Sequence, residues 1–291
     1  MSSPLTLAPG PATQRPRRVL LALGGTLILA TYLFLVVLQP AEIAGGVGST
    51  ASLVSLFGFL GGGALLVAGI LPTLSTSSLV VMPLGIALNI AIGQIAGSLG
   101  MQIYLDAIGT VLVAVLAGPA AGAATGALSN AVWGLFNPFA LPFAAGAALI
   151  GLLAGLAAKY GAFRRVYLAP VAGLVIGAIG GIVAAPVAVF MFGAAGTVGT
   201  NAIIAAFRSM GDVLLVAATK QGLLSDSLDK IVVFVLVALI VYALPQRAVR
   251  QFPFARNHRV LGARSAAVAP GPTPSGPVTA TPPRGDAAPD A

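Results

Sequence analysis

The chain has no cysteine, one histidine and one tryptophan, and only 8% of its 291 residues are charged. Without cysteine there is no disulfide framework, thiolate metal site or thiol nucleophile. The single His258 has no second imidazole to work with. The carboxylates Glu42, Asp106, Asp212, Asp226, Asp229, Asp286 and Asp290 are scattered along the chain. A metal cluster or a His-based triad therefore has nothing to be built from, so neither a metal nor any other cofactor is expected. No Walker sequence is present, so any ATP-driven work needs a partner that supplies the ATPase. A water-facing surface is normally about a quarter charged. The scarcity of charge here excludes a soluble enzyme.

Apolar residues are abundant instead, at 58%, with a mean hydropathy of +1.01. Lipid is the natural solvent for such a chain, and the expected fold class is all-α, a polytopic membrane helix bundle. The net charge of +8 would suggest nucleic acid in a soluble protein. Here the basic residues fall in short clusters between apolar runs, and no nucleic-acid partner is expected. Arg15, Arg17 and Arg18 precede the first run, and Lys159, Arg164 and Arg165 lie midway. Arg247, Arg250, Arg256, Arg259 and Arg264 follow the last run. The positive-inside rule assigns all three clusters, and with them both termini, to the cytoplasmic side of the cell membrane.

The first apolar run, 19–38, has spanning length rather than the length of a signal-peptide core and is followed by a poor cleavage site, so it reads as a retained span. A second run covers 53–72. From 79 onward spans are expected at 79–97, 105–117, 120–136, 139–158, 166–192 and 230–244, with Gly118 and Pro119 breaking 105–136 into a folded-back pair. The run at 198–219 contains Arg208 and Asp212 and precedes Lys220; if it spanned, the basic tail would leave the side that the N-terminus occupies. Charge therefore favours eight spans, with 198–225 external or re-entrant. The expected division is a cytoplasmic segment 1–18, two transmembrane helices within 19–78, a membrane domain over 79–247, and a cytoplasmic tail at 248–291. That tail is rich in proline and alanine and is expected to be mostly disordered, from about 262 on.

Small residues recur every four positions at Gly118, Gly122 and Gly126, at Ala147, Gly151 and Gly155, and at Gly173, Gly177 and Gly181. That spacing aligns each set on one helix face, where a neighbouring helix can approach closely. On the helix at 79–97, Ala87 and Ala91 share one face and Gly93 and Gly97 another. Both pairs suit internal packing. The Ala87 face also suits a separate membrane subunit.

Polar groups at membrane depth face a cavity or the bundle interior. Asn89, Gln94, Gln102 and Asp106 crowd the join between the first two helices of the 79–247 region. Asp106 is the leading binding candidate, with N-capping of the following helix as a compatible structural role. Asn130, Trp133 and Asn137 form a set suited to a flat polar heterocycle, although interface anchoring accounts for Trp133 equally well. Arg208 and Asp212, four apart, suit an intrahelical ion pair better than ligand contact. Asp226, Asp229 and Lys230 read as an ordinary polar lead-in to the last span.

The segment ALNIAIGQIAGSLGMQIYLDAIGTVLVAVLAGPAAGAATGALSNAVWGLF, residues 87–136, resembles the S components of energy-coupling-factor (ECF) vitamin transporters. The carriers of the likeness are the LDAIGT loop, a short helix ending at Gly118 and Pro119, a small-residue helix ending in Ser129 and Asn130, and a closing helix introduced by Asp229 and Lys230. The resemblance covers roughly residues 79–247. It implies a six-helix ECF S-component-like core that captures a vitamin-like micronutrient and docks on a T component bearing two ATPases. It further implies docking through Ala87 and Ala91, and closure of residues 98–108 over the substrate. The candidate substrate-binding residues are Gln102, Asp106, Asn130, Trp133, Asn137 and Arg208. The two N-terminal spans depart from the simplest family layout. The rival reading is a membrane sensor or scaffold that binds a ligand or partner without transporting it. A self-sufficient secondary transporter would be expected to show internal repeats, and none is found.

Overall fold

The computed structural model describes residues 11–40, 48–100, 103–165 and 167–262. Among them every regular element is helical. In chain order these are α1 (Pro11–Leu38), α2 (Thr50–Ile70), α3 (Thr76–Ser98), α4 (Ile108–Ala117), α5 (Pro119–Trp133) and α6 (Ala144–Lys159). They are followed by α7 (Leu168–Phe192), α8 (Val198–Ser209), α9 (Leu214–Ala243), α10 (Gln246–Val249) and α11 (Pro253–Asn257). Five stretches, at 15–38, 50–73, 76–98, 141–159 and 168–192, are long and apolar enough to cross a membrane. Their outward faces are apolar: Leu29 on α1, Val80 and Leu84 on α3, and Val171, Val175 and Ile182 on α7 are all exposed. Exposed apolar faces of that extent suit a lipid environment. The chain is a multi-pass helical membrane protein.

The last expected span, 230–244, is the second half of α9, whose 30 residues reach roughly 45 Å at 1.5 Å per residue. In contrast, the run at 198–219 is no single span. The 12-residue α8 ends at Ser209, Gly211 follows with a left-handed φ of 96°, and α9 begins at Leu214. At about 18 Å, α8 is too short to cross a hydrocarbon core of ~30 Å.

The short α4 is apolar on all sides and buried from Ile108 to Leu116 except at Leu112, as a helix at the centre of a bundle should be. It packs against α3, α5, α6 and α9. The three small-residue ladders are contact faces. A Cβ on Gly126 would lie 2.2 Å from the carbonyl oxygen of Ala147, and one on Gly151 would lie 2.2 Å from that of Gly122. Two of the ladders thus face each other across α5 and α6. The third, on α7, meets α9: Cβ atoms on Gly173 and Gly177 would fall 2.5 and 2.3 Å from the carbonyl oxygens of Lys230 and Asp226. The N-terminal pair joins the same body, since α2 packs on α5 and the Tyr32 hydroxyl donates to the carbonyl of Val183 at 3.0 Å.

Because α4 is only 10 residues long, it leaves space at one end of the bundle, and the chain after α9 folds back into it. Phe254 lies against Gly118, a Cβ on which would come within 2.9 Å of the ring. Val249, Ala255, Val260 and Leu261 are buried there. Residues 248–262 are therefore part of the packed body, whereas the expected disorder further on falls at 263–291, outside the described residues.

Candidate functional site

At the opposite end, α3 hands over to α4 through residues 99–107. Asn89, 1% exposed on α3, organises this junction from below. Its Oδ1 accepts from the main-chain N–H groups of Gly109 at 2.7 Å and Thr110 at 3.2 Å, and its Nδ2 donates to Thr110 Oγ1 at 2.7 Å and Ser129 Oγ at 2.9 Å. The N-terminus of α4 is thus capped by a side chain from another helix, which satisfies donors that a helix start leaves open. Asp106 does not perform that role. The N-cap is Ala107, without a side-chain cap bond.

Asp106 turns to α9 instead. Its Oδ1 is 3.4 Å from Lys230 Nζ, and Lys230 also pairs tightly with Asp229 Oδ2. The Lys230 and Asp229 side chains are 3% and 0% exposed, Asp106 29%. The remaining oxygen of Asp229, Oδ1, accepts the N–H of Leu105 at 2.8 Å. Next along the loop, the Tyr104 hydroxyl shares a 2.9 Å hydrogen bond with Thr200 Oγ1 of α8. Burial raises the pKa of the Tyr104 phenol, so it remains a neutral hydroxyl. Three successive residues are therefore fastened to α8 and α9.

Trp133 lies beside this cluster. It is 9% exposed and donates from Nε1 to Gln94 Oε1 at 3.1 Å. Gly93 makes room for it: a Cβ there would come within 2.6 Å of the Trp133 ring and 3.0 Å of Asp106 Cβ. The indole is thus packed between helices near Asp106 rather than exposed as an interface anchor. Asn130, three residues earlier on α5, is 5% exposed.

The other candidates lie elsewhere. Asn137 closes a local turn, its Oδ1 accepting from the Phe139 N–H at 3.3 Å. Arg208 is exposed on α8 and reaches only the Asp212 carbonyl at 3.4 Å. The expected Arg208–Asp212 ion pair is replaced by one between Asp212 and Lys220 at 2.6 Å. Gln102 lies outside the described residues. Ala87 and Ala91 are both exposed on α3, in line with Val80, Leu84 and Ile95.

Asp229 and Lys230 were read from the sequence as the polar start of a span. They are instead the midpoint of α9 and the centre of the ionic cluster. The signal was present in the stretch LLVAATKQGLLSDSLDK, which has no proline and can continue a helix backwards from Asp229.

The chain matches no family model, no curated protein and no solved structure.

Proposed function

We propose that this protein is the substrate-capture membrane subunit of an ECF-type importer for a vitamin or related micronutrient, with ATP hydrolysis supplied by partner subunits. The observation that carries the reading is the fastening of residues 104–106 across one end of the bundle, through Thr200, Asp229 and Lys230, beside the buried Trp133. A segment held by a few polar contacts beside a buried indole is suited to open, admit a ligand and close again. In this reading the bundle has the six-helix S-component core, α3 to α7 with α9, preceded by two further spans. Both termini face the cytoplasm, and the α3–α4 segment faces outward. The exposed Ala87 and Ala91 offer a smooth helix face for a T component that carries two ATPases.

Substrate enters beside Asp106, Asn130 and Trp133, with the Asn130 amide supplying a donor and an acceptor and the indole a ring face. Screening the purified protein against vitamins and their precursors identifies the ligand. Asp106→Ala and Asn130→Ala are each expected to weaken its affinity about tenfold or more, a loss of at least ~1.4 kcal/mol. Unchanged affinity in both variants would displace the pocket. Tight binding without ATP-dependent uptake in any membrane that contains a T component and ATPases would favour the sensor or scaffold reading.

A further inference from the structure

Acidic charge is segregated along this bundle. Of the described acidic residues, Asp106 lies on the α3–α4 junction, Asp212 between α8 and α9, and Asp226 and Asp229 on α9 beside the α3–α4 segment. The other end is formed by the α6–α7 loop and the segment after α9, which are tied together where Arg164 Nη2 donates to the His258 carbonyl at 3.1 Å, and the last turn of α9 joins them where the Tyr242 hydroxyl donates to the carbonyls of Phe163 and Arg164, each at 3.0 Å. Packing there sorts the side chains: Phe252, Ala255, Val260 and Leu261 turn inward, while Arg164, Arg165, Arg256 and Arg259 remain exposed. No carboxylate among the described residues is at this end.

Two aromatic residues stand in the same ring of cations. Tyr160 is 78% and Tyr167 59% exposed. Lys159 Nζ lies 5.8 Å from the Tyr160 ring centroid, and Arg165 Nη1 donates to the Tyr167 hydroxyl at 2.6 Å. Directly beyond Tyr167, Leu168 and Val171 begin the exposed apolar face of α7. Tyrosine with its ring toward hydrocarbon and its hydroxyl toward water marks the headgroup level of a bilayer.

We propose that this end is a docking surface for the phosphate groups of anionic phospholipids in one leaflet. Arg164, Arg165, Arg256 and Arg259 supply forked donors suited to phosphate oxygens. Tyr160 and Tyr167 set their depth. A soluble phosphate would need only the cations. The unbroken step from Arg165 through Tyr167 to the apolar face of α7 fits a ligand that has both an anionic head and an acyl chain. The bound lipids hold the α10–α11 cap against the α6–α7 loop, whether or not the protein serves an importer.

The full-length protein, purified in detergent, is heated in mixed micelles that contain either phosphatidylglycerol or phosphatidylcholine at equal mole fraction. Phosphatidylglycerol is expected to raise the unfolding temperature by several degrees more than phosphatidylcholine, and high salt to shrink the difference. The variant Arg164→Gln/Arg165→Gln/Arg256→Gln/Arg259→Gln is expected to lose most of that difference, and Lys220→Gln at the other end to keep it. Equal stabilisation by the two lipids, retention of the difference in the fourfold variant, or the same gain from inorganic phosphate would each overturn the proposal. Should the fourfold variant fold poorly, lipid retained by the wild-type protein from an equimolar mixture decides the matter. At least twofold enrichment of phosphatidylglycerol is expected, and none would contradict the proposal. Crosslinking from Arg256→Cys to a protein instead of lipid in native membranes would also overturn it.

Discussion

The main-chain N–H of Leu105 donates to Asp229 Oδ1 at 2.8 Å, joining positions 124 residues apart in the chain. Leu105 has a left-handed φ of 53°, a conformation that costs a side-chain-bearing residue roughly 1–2 kcal/mol. The Asp229 carboxylate therefore does two things: it fixes the α3–α4 segment to α9 and offsets the strain of its backbone. Its other oxygen is held by Lys230, which reaches on to Asp106. One carboxylate and one ammonium thus hold the segment from both sides.

This arrangement can be read by labelling, because the chain has no cysteine to interfere. A single cysteine at Ile103 in the otherwise native protein is expected to react slowly with a maleimide. Adding Asp229→Asn, which weakens the hold on Leu105, is expected to speed the reaction several-fold. Adding Lys220→Gln, whose ion pair with Asp212 is on the surface, is expected to leave the rate unchanged. The labelling rate in membranes checks all three.

Removing one member of the ionic cluster should cost more than removing the pair. Lys230→Met leaves Asp229, with no exposure at all, without its counter-charge, and breaking a buried pair in this way costs about 3–5 kcal/mol. Asp229→Asn/Lys230→Met removes both charges and is expected to be clearly more stable than Lys230→Met alone. Unfolding midpoints of the purified variants in one detergent test the order.

Asn89→Ala is expected to destabilise the α3–α4 junction strongly. It leaves the Gly109 N–H without an acceptor inside the protein and cuts the bonds to Thr110 and Ser129. Each buried group left unsatisfied costs about 1–3 kcal/mol. A lowered unfolding temperature, together with faster hydrogen exchange at the start of α4, is the expected result.

The glycine faces provide a graded test of packing. Gly126→Val and Gly177→Val place a side chain against the main chain of a neighbouring helix, at separations of 2.2 and 2.3 Å for the first added carbon alone. Backbone cannot move aside cheaply, so loss of folded protein is expected from each. Gly97→Ala and Gly25→Ala meet nothing within 4 Å. They are expected to change stability by well under 1 kcal/mol, as a fluorescence size-exclusion profile after heating would show.

The helical membrane class and the small-residue faces were legible in the sequence because both follow from local regularities: run length, hydropathy and a four-residue period. So was the crowding of polar groups around Asn89 and Asp106. What the polar groups bind was less legible. Asp106 sits immediately before a helix, where local reasoning favours capping, but Asn89 reaches across from α3 and takes the donors first. Likewise Arg208 and Asp212 have helix-pair spacing, yet α8 ends between them and Asp212 turns to Lys220. Asp229 and Lys230 were misplaced because a charged pair resembles a span boundary. The packing of α7 against Gly222, Asp226 and Lys230 of α9 shows the pair to be interior. In each case a long-range partner outranked the local pattern.

The central proposal, that this chain captures substrate for an ATP-driven importer, is tested most directly by its company in the membrane. The tagged protein would be crosslinked in native membranes, gently solubilised, affinity-purified and its partners identified by mass spectrometry. The account predicts a T component and two ATPase subunits, lost when Ala87 and Ala91 are both replaced by bulky leucine. Their absence, under conditions that retain a known energy-coupling complex, would contradict it.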